Sequence, residues 1–218
     1  MIKAIIFDMD GVILDSETIC NQVWRLVAKD FGLDDIEEGI KKCLGTNIND
    51  TCRILHELYG QDFPTDDFVK RVTEGFREVE FSSGIPLMPY AKECLEKLKQ
   101  SNRYKIALAS STKGSTVERQ LTRAGVIQYF ETRTTGEMVK HSKPDPQIYL
   151  LACESLGLAP EECIAVEDSP NGIKSAYAAG MKAVMIPDKI QPNEEIKTLC
   201  WKIFPSLKDF SECDFSRE

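Results

Sequence analysis

Ala4-Ile5-Ile6-Phe7-Asp8-Met9-Asp10-Gly11-Val12 is the stretch on which the fold turns. Four apolar residues precede Asp8, which suits a central strand of a parallel sheet covered on both faces. Such a strand delivers the residues after it to the carboxyl edge of the sheet, where open α/β folds keep their sites. In extended chain, side chains two apart point the same way, so Asp8 and Asp10 can converge on one ligand. Gly11 then lets the backbone turn tightly. The plainer account of the two acids is a helix cap or an Asx turn.

Similar strand-like runs recur at Lys105–Ala109, Cys163–Val166 and Lys182–Ile186, with helical patterns between most of them. Strands alternating with helices imply parallel βαβ units. Tyr129–Thr134 is a weaker run, and Trp201–Phe204 suits an edge strand. From about Ser16 to Ser83 the rhythm changes to helices alone, at Glu17–Phe31, Asp34–Cys43, Asn49–Tyr59 and Asp66–Phe81. In the first of these, Val23, Leu26 and Val27, with Trp24 and Phe31 nearby, supply an apolar stripe. An all-helical insert between the first two strands of an α/β sheet has the look of a cap domain.

The chain has 218 residues, 42% of them hydrophobic and 28% charged, with a net charge of −8. That is an ordinary globular composition, with no basic footprint for nucleic acid. Any attraction for a phosphorylated molecule must therefore be built locally. The eight cysteines are scattered without a CxxC pair, and His56 and His141 are the only histidines, which argues against a structural zinc site. With no signal-peptide pattern and no membrane-length apolar run, the expectation is a cytoplasmic protein with reduced thiols.

Three further segments follow strand-like runs and end in polar residues. Ser110-Ser111-Thr112 precedes a helix from about Gly114, which makes either an N-cap or a phosphate cradle. Lys143-Pro144-Asp145-Pro146 holds a lysine in constrained chain, although a lone lysine is usually a surface charge. Glu167-Asp168-Ser169-Pro170 closes an apolar strand, with Ser169 and Pro170 reading as an N-cap and first helical residue. The acids there could serve only the helix dipole. In a parallel sheet all four strand ends meet, gathering Asp8, Asp10, Glu167 and Asp168. Two like charges about 4 Å apart repel by roughly 4 kcal/mol at an effective dielectric near 20. A divalent cation with oxygen ligands relieves this, and Mg²⁺ suits few carboxylates, waters and a substrate phosphate.

These four segments, in this order, resemble the haloacid dehalogenase superfamily. Asp8-Met9-Asp10-Gly11-Val12 matches its first motif, Ser110 its second, Lys143 its third and Glu167-Asp168 its fourth. The runs Lys143-Pro144-Asp145-Pro146-Gln147-Ile148-Tyr149 and Glu167 through Met181 are similar to the β-phosphoglucomutase-like phosphatases. The resemblance implies an α/β fold with a Rossmann-like parallel sheet flanked by helices. Residues 1–15 and 85–218 would form this core, and residues 16–84 an inserted four-helix type 1 cap.

It also implies roles. Asp8 would attack phosphorus and become an aspartyl-phosphate, and Asp10 would act as general acid, then general base. Ser110, Ser111 and Lys143 would bind the phosphoryl group. Mg²⁺ would be held at Asp8, Asp10 (through its backbone carbonyl), Glu167 and Asp168. Asp10 argues against dehalogenation, whose enzymes lack the second acid. Gly45-Thr46-Asn47 matches the cap's substrate-specificity loop, or a glycine hinge with an N-cap. The partner implied is a small-molecule phosphomonoester, with no nucleic acid and no membrane, and a monomer is favoured. Hydrolysis is the expected reaction and sugar-phosphate mutation the alternative. The mutases' histidine falls at Cys20 and their cap arginine near Ile48, with Arg53 or Arg77 as substitutes.

Overall fold

The computed structural model describes residues 1–44, 46 and 48–215. The chain divides into two compact units, Met1–Asp15 with Pro86–Glu218, and Ser16–Ile85.

The first unit is built on six parallel strands, β1 (Ala4–Phe7), β2 (Lys105–Ala109), β3 (Thr132–Thr134), β4 (Cys163–Glu167), β5 (Lys182–Met185) and β6 (Lys202–Ile203). Their order across the sheet is β3-β2-β1-β4-β5-β6. β1 is therefore central, with Phe7 opposite Leu108 on one side and Val166 on the other. Its four side chains are fully buried, which is why the run lacks the polar alternation of a half-exposed strand. Ala4 and Ile6 pack on one face with Ile148, Tyr149, Ala152, Ile173 and Ala176. Those residues come from α7 (Gln147–Leu156) and α8 (Pro170–Ala178). On the other face Phe7 meets Phe210 edge-on at 6.0 Å, carried by α10 (Leu207–Glu212). The remaining helices of this unit are α5 (Ala91–Ser101), α6 (Gly114–Arg123) and α9 (Glu194–Leu199).

The weak run at Tyr129–Thr134 resolves into a 3-10 turn, Ile127–Tyr129, followed by the three-residue edge strand β3. Ser169 caps α8 by accepting from Gly172 N, with Pro170 as its first helical residue, as expected.

The second unit contains α1 (Ser16–Asp30), α2 (Glu37–Cys43), α3 (Ile48–Tyr59) and α4 (Thr65–Ser82). Trp24, Val27, Leu55, Phe68 and Val72 form its core, with Trp24 edge-on to Phe68 at 5.2 Å. Leu26 departs from the expected stripe and is 63% exposed. The buried arc of α1 centres on Trp24, Val27 and Ala28. Leu26 lies two residues from both Trp24 and Ala28, about 200° around the helix. All eight cysteines are free thiols. No described helix is long and apolar enough to cross a membrane.

Candidate active site

The register of the central strands brings the motif residues together. Asp8 leaves β1 with its N–H on the Val166 carbonyl, at 2.9 Å. Glu167 ends β4 and Asp168 follows it. Lys143 arrives from the segment before α7, across a cis Lys143–Pro144 peptide. An ammonium has three protons to donate, and each has a partner here. Nζ lies 2.5 Å from Asp8 Oδ1, 2.6 Å from Glu167 Oε1 and 3.1 Å from the Ala109 carbonyl. Burial works to lower the Lys143 pKa, but Asp8 and Glu167 outweigh it and hold the ammonium above its usual range.

Glu167 is almost completely buried and both its oxygens are engaged. Oε1 also accepts from the Tyr149 hydroxyl at 2.6 Å, and Oε2 from Ser169 Oγ at 3.2 Å. Gly172 makes room for this carboxylate, since a Cβ there would sit 1.9 Å from its Cδ. Burial, then the charge of Glu167, pushes the Tyr149 phenol well above its normal value, so it stays a donor. Removing that donor as Tyr149→Phe leaves a buried charged acceptor short of one hydrogen bond. The variant should lose about 1.5–3 kcal/mol of stability, with a several-fold drop in kcat, read by thermal denaturation and steady-state kinetics. Unchanged Tm and kcat would show that Lys143 and Ser169 hold Glu167 without the phenol.

Asp8 and Glu167 thus share one ammonium, so ionising both would leave one buried negative charge unpaired. Burial pushes the Asp8 carboxyl up to about 8; Lys143 opposes the rise, while Glu167 and Asp10 add to it. Asp168 brings another acid close, so that ligand oxygens of Asp8, Glu167 and Asp168 lie within 4.8 Å of one another. Gly11 permits the approach. It has φ +73°, where glycine is favoured, and a Cβ on it would fall 2.3 Å from Asp168 Oδ2. Hard carboxylate oxygens at this spacing are a donor set for Mg²⁺ or Ca²⁺.

Asp10 accepts from Thr112 Oγ1 at 3.1 Å through its Oδ2. Ser110 is buried just beyond β2, its N–H on the Thr134 carbonyl at 3.0 Å and its Oγ accepting from Thr112 N at 3.1 Å. Ser111 is exposed, its carbonyl 2.1 Å from where a Cβ on Gly136 would lie. The cap of α6 is none of these three residues. Lys113 occupies that position without a side-chain bond, and Glu137 takes the Gly114 N–H at 2.8 and 3.0 Å. Thr112 is read from sequence only within a candidate cap or phosphate cradle, and Tyr149 has no role there. Both stand inside quoted motif runs, but only the folded chain places their hydroxyls on acids.

In the helical unit, Gly45 and Asn47 of the expected specificity loop lie outside the described residues. Thr46 Oγ1 bonds the Cys43 carbonyl at 2.7 Å and Thr51 Oγ1 at 2.8 Å. Glu17, Cys20, Asn21, Trp24, Thr46 and Thr51 line part of a cavity of about 260 Å³. Burial, then Glu17, pushes the Cys20 thiol up to about 11, so it is neutral. Arg53 is exposed and paired along its own helix with Glu57 at 2.7 Å and Asp50 at 3.5 Å. Arg77 is also exposed.

Residues 5–186 match the family model of haloacid dehalogenase-like hydrolases. The chain is 36% identical over 182 residues to a phosphorylated carbohydrates phosphatase of Thermotoga maritima, covering 84% of this chain and 83% of that one. It is 32% identical over 185 residues to the fructose-1-phosphate phosphatase YqaB of Escherichia coli, covering 83% and 94%. Among solved structures, a candidate beta-phosphoglucomutase from Thermotoga maritima superposes with a TM-score of 0.79 at 31% identity, over 96% of this chain and 97% of that one.

Proposed function

We propose, since this chain belongs to the haloacid dehalogenase-like hydrolases and is a phosphomonoester hydrolase, that it is a Mg²⁺-dependent phosphatase of a small phosphorylated carbohydrate, working through an aspartyl-phosphate on Asp8. The observation that carries this reading is the buried Asp8–Lys143–Glu167 triangle with Asp168 beside it. Asp8 Oδ1 is the ammonium's partner, which leaves Oδ2 to attack phosphorus in line while Lys143 neutralises the transferring oxygens. Asp10 donates a proton to the leaving alkoxide as the P–O bond breaks. It then takes one from the water that attacks the phosphorus of the acyl phosphate, freeing Asp8 and inorganic phosphate. Ser110 serves the phosphoryl oxygens.

Glu167 already accepts from Lys143, Tyr149 and Ser169, so its role here is to fix the ammonium. Asp8 and Asp168, with the backbone carbonyl of Asp10, would hold the Mg²⁺, which when bound supplies charge neutralisation for nucleophile and phosphate. In this reading residues 16–85 are the cap that selects the leaving group. Hydrolysis is favoured over mutation by the neutral Cys20 beside Glu17, since neither attracts a second phosphate, and by the Arg53 charge being taken up by Glu57. The carbohydrate class rests on the two named relatives.

A panel of sugar phosphates, polyol phosphates, nucleotides and phosphoglycolate, scored by kcat/KM with Mg²⁺, tests the proposal. Sugar or polyol monophosphates should rank first, with stoichiometric free phosphate. Chelation should abolish turnover and added Mg²⁺ restore it. Isomerised sugar phosphate with little free phosphate would favour the mutase, and full rate in chelator would remove the metal from the reading.

A further inference from the structure

The Thr112–Asp10 hydrogen bond is made by a side chain whose backbone is held from both sides. Thr112 N–H donates to Ser110 Oγ at 3.1 Å, and the Thr112 carbonyl accepts from Gly136 N at 3.0 Å. Ser110 is in turn anchored to Thr134 at the end of the edge strand. The loop after β3 can lie this close because Gly136 has no side chain; a Cβ would fall 2.1 Å from the Ser111 carbonyl oxygen. Thr112 Oγ1 is therefore presented to Asp10 by rigid neighbours, across 102 residues of sequence. A hydroxyl that caps a helix would turn toward its own N-terminus, but that of α6 belongs to Glu137.

We propose that Thr112 is a positioning residue for Asp10, holding its carboxyl in the orientation from which it serves the leaving oxygen and the attacking water. The proposal rests on the acid–base role given to Asp10 above. By donating to Oδ2 from a backbone held on both sides, Thr112 fixes how the carboxyl is turned. As the bond from phosphorus to the leaving oxygen breaks and the Asp8–phosphorus bond forms, the Asp10 carboxyl passes a proton to the leaving oxygen. In the second half, the Asp10 carboxylate receives a proton from water as the water oxygen bonds phosphorus and the Asp8–phosphorus bond breaks. Proton transfer from a positioned acid contributes roughly 10²–10⁴-fold, and correct orientation is a share of it.

The test compares phenyl phosphate with p-nitrophenyl phosphate, two esters of similar shape whose leaving groups differ in their need for a proton. Single-turnover release of the phenol, with enzyme in excess, isolates the first half-reaction. Thr112→Val should slow phenol release about tenfold and leave p-nitrophenol release within about twofold, because nitrophenolate departs unprotonated. Thr112→Ser should restore phenol release to within about threefold of the parent, having kept the hydroxyl. The amplitude of p-nitrophenol release counts competent molecules, so misfolding is read separately. Equal slowing of both esters, or none, would overturn the proposal. Asp8→Asn run alongside isolates the parent reading, since p-nitrophenol release from that variant would remove the covalent route whatever Thr112 does.

Discussion

Asp8→Asn is expected to lower turnover by at least about 10⁴-fold, the scale on which an enzyme loses a nucleophile, while raising the Tm of the metal-free protein. The two effects share a cause. Asp8 is buried, and its carboxyl is pushed from an ordinary 3.8 to about 8, burial first, with Glu167 and Asp10 adding to it and Lys143 opposing. A carboxyl raised on folding takes up protons as the chain folds. Its favourable contribution is complete below pH 3.8 and is lost as pH rises toward about 8. Asn cannot ionise and escapes that loss. In chelator, the Tm difference between Asp8→Asn and the parent should therefore widen from pH 5 to pH 8, in favour of the variant. Added Mg²⁺ should raise the parent's Tm more than the variant's. A variant less stable than the parent at pH 8 in chelator would show that Asp8 is not the strained member of the triangle.

Lys143→Met moves activity the same way and stability the opposite way. In the proposed mechanism Lys143 is the positive donor to the phosphoryl oxygens, and its loss should lower kcat/KM by about 10²–10³-fold, the scale of a preorganised electrostatic contact. It also leaves Asp8 and Glu167 buried with no ammonium between them, and stranding buried charge costs about 3–5 kcal/mol. Removing a carboxylate leaves the Lys143–Glu167 pair balanced, whereas removing the lysine drives the Asp8 carboxyl further up and leaves Glu167 without its cation. Chemical denaturation at pH 8 measures the sign directly. If both variants were destabilised alike, the triangle would be an ordinary packing unit rather than one carrying excess negative charge.

Much of this architecture is legible in the chain because burial on both faces leaves a plain signature. β1, β2, β4 and β5 are short apolar runs, and the parallel pairing of β1 with β4 explains why Asp8, Glu167 and Asp168 meet. β3 carries no such signature. Thr132, Arg133 and Thr134 form an edge strand whose place comes from pairing with Ala107–Ala109, and the apolar residues before it turn as a 3-10 helix instead. Contacts between distant residues are equally silent in one sequence. Tyr149 reaches Glu167 across 18 residues and Glu137 reaches Gly114 across 23. Neither spacing belongs to a local motif, so register and packing had to supply them. The stripe of α1 shows a limit of periodicity, since Leu26 fits an apolar pattern but faces away from the centre of the buried arc.

Gly11 and Gly172 have a consequence for how such an enzyme can change over generations. Each packs directly against an acid of the site, so that one added methyl would overlap Asp168 or Glu167. Drift at these two places has no small steps, which under the proposed mechanism constrains the residues beside the phosphoryl group. If residues 16–85 select the leaving group as proposed, that unit, free of those two collisions, is where a lineage retains room to explore.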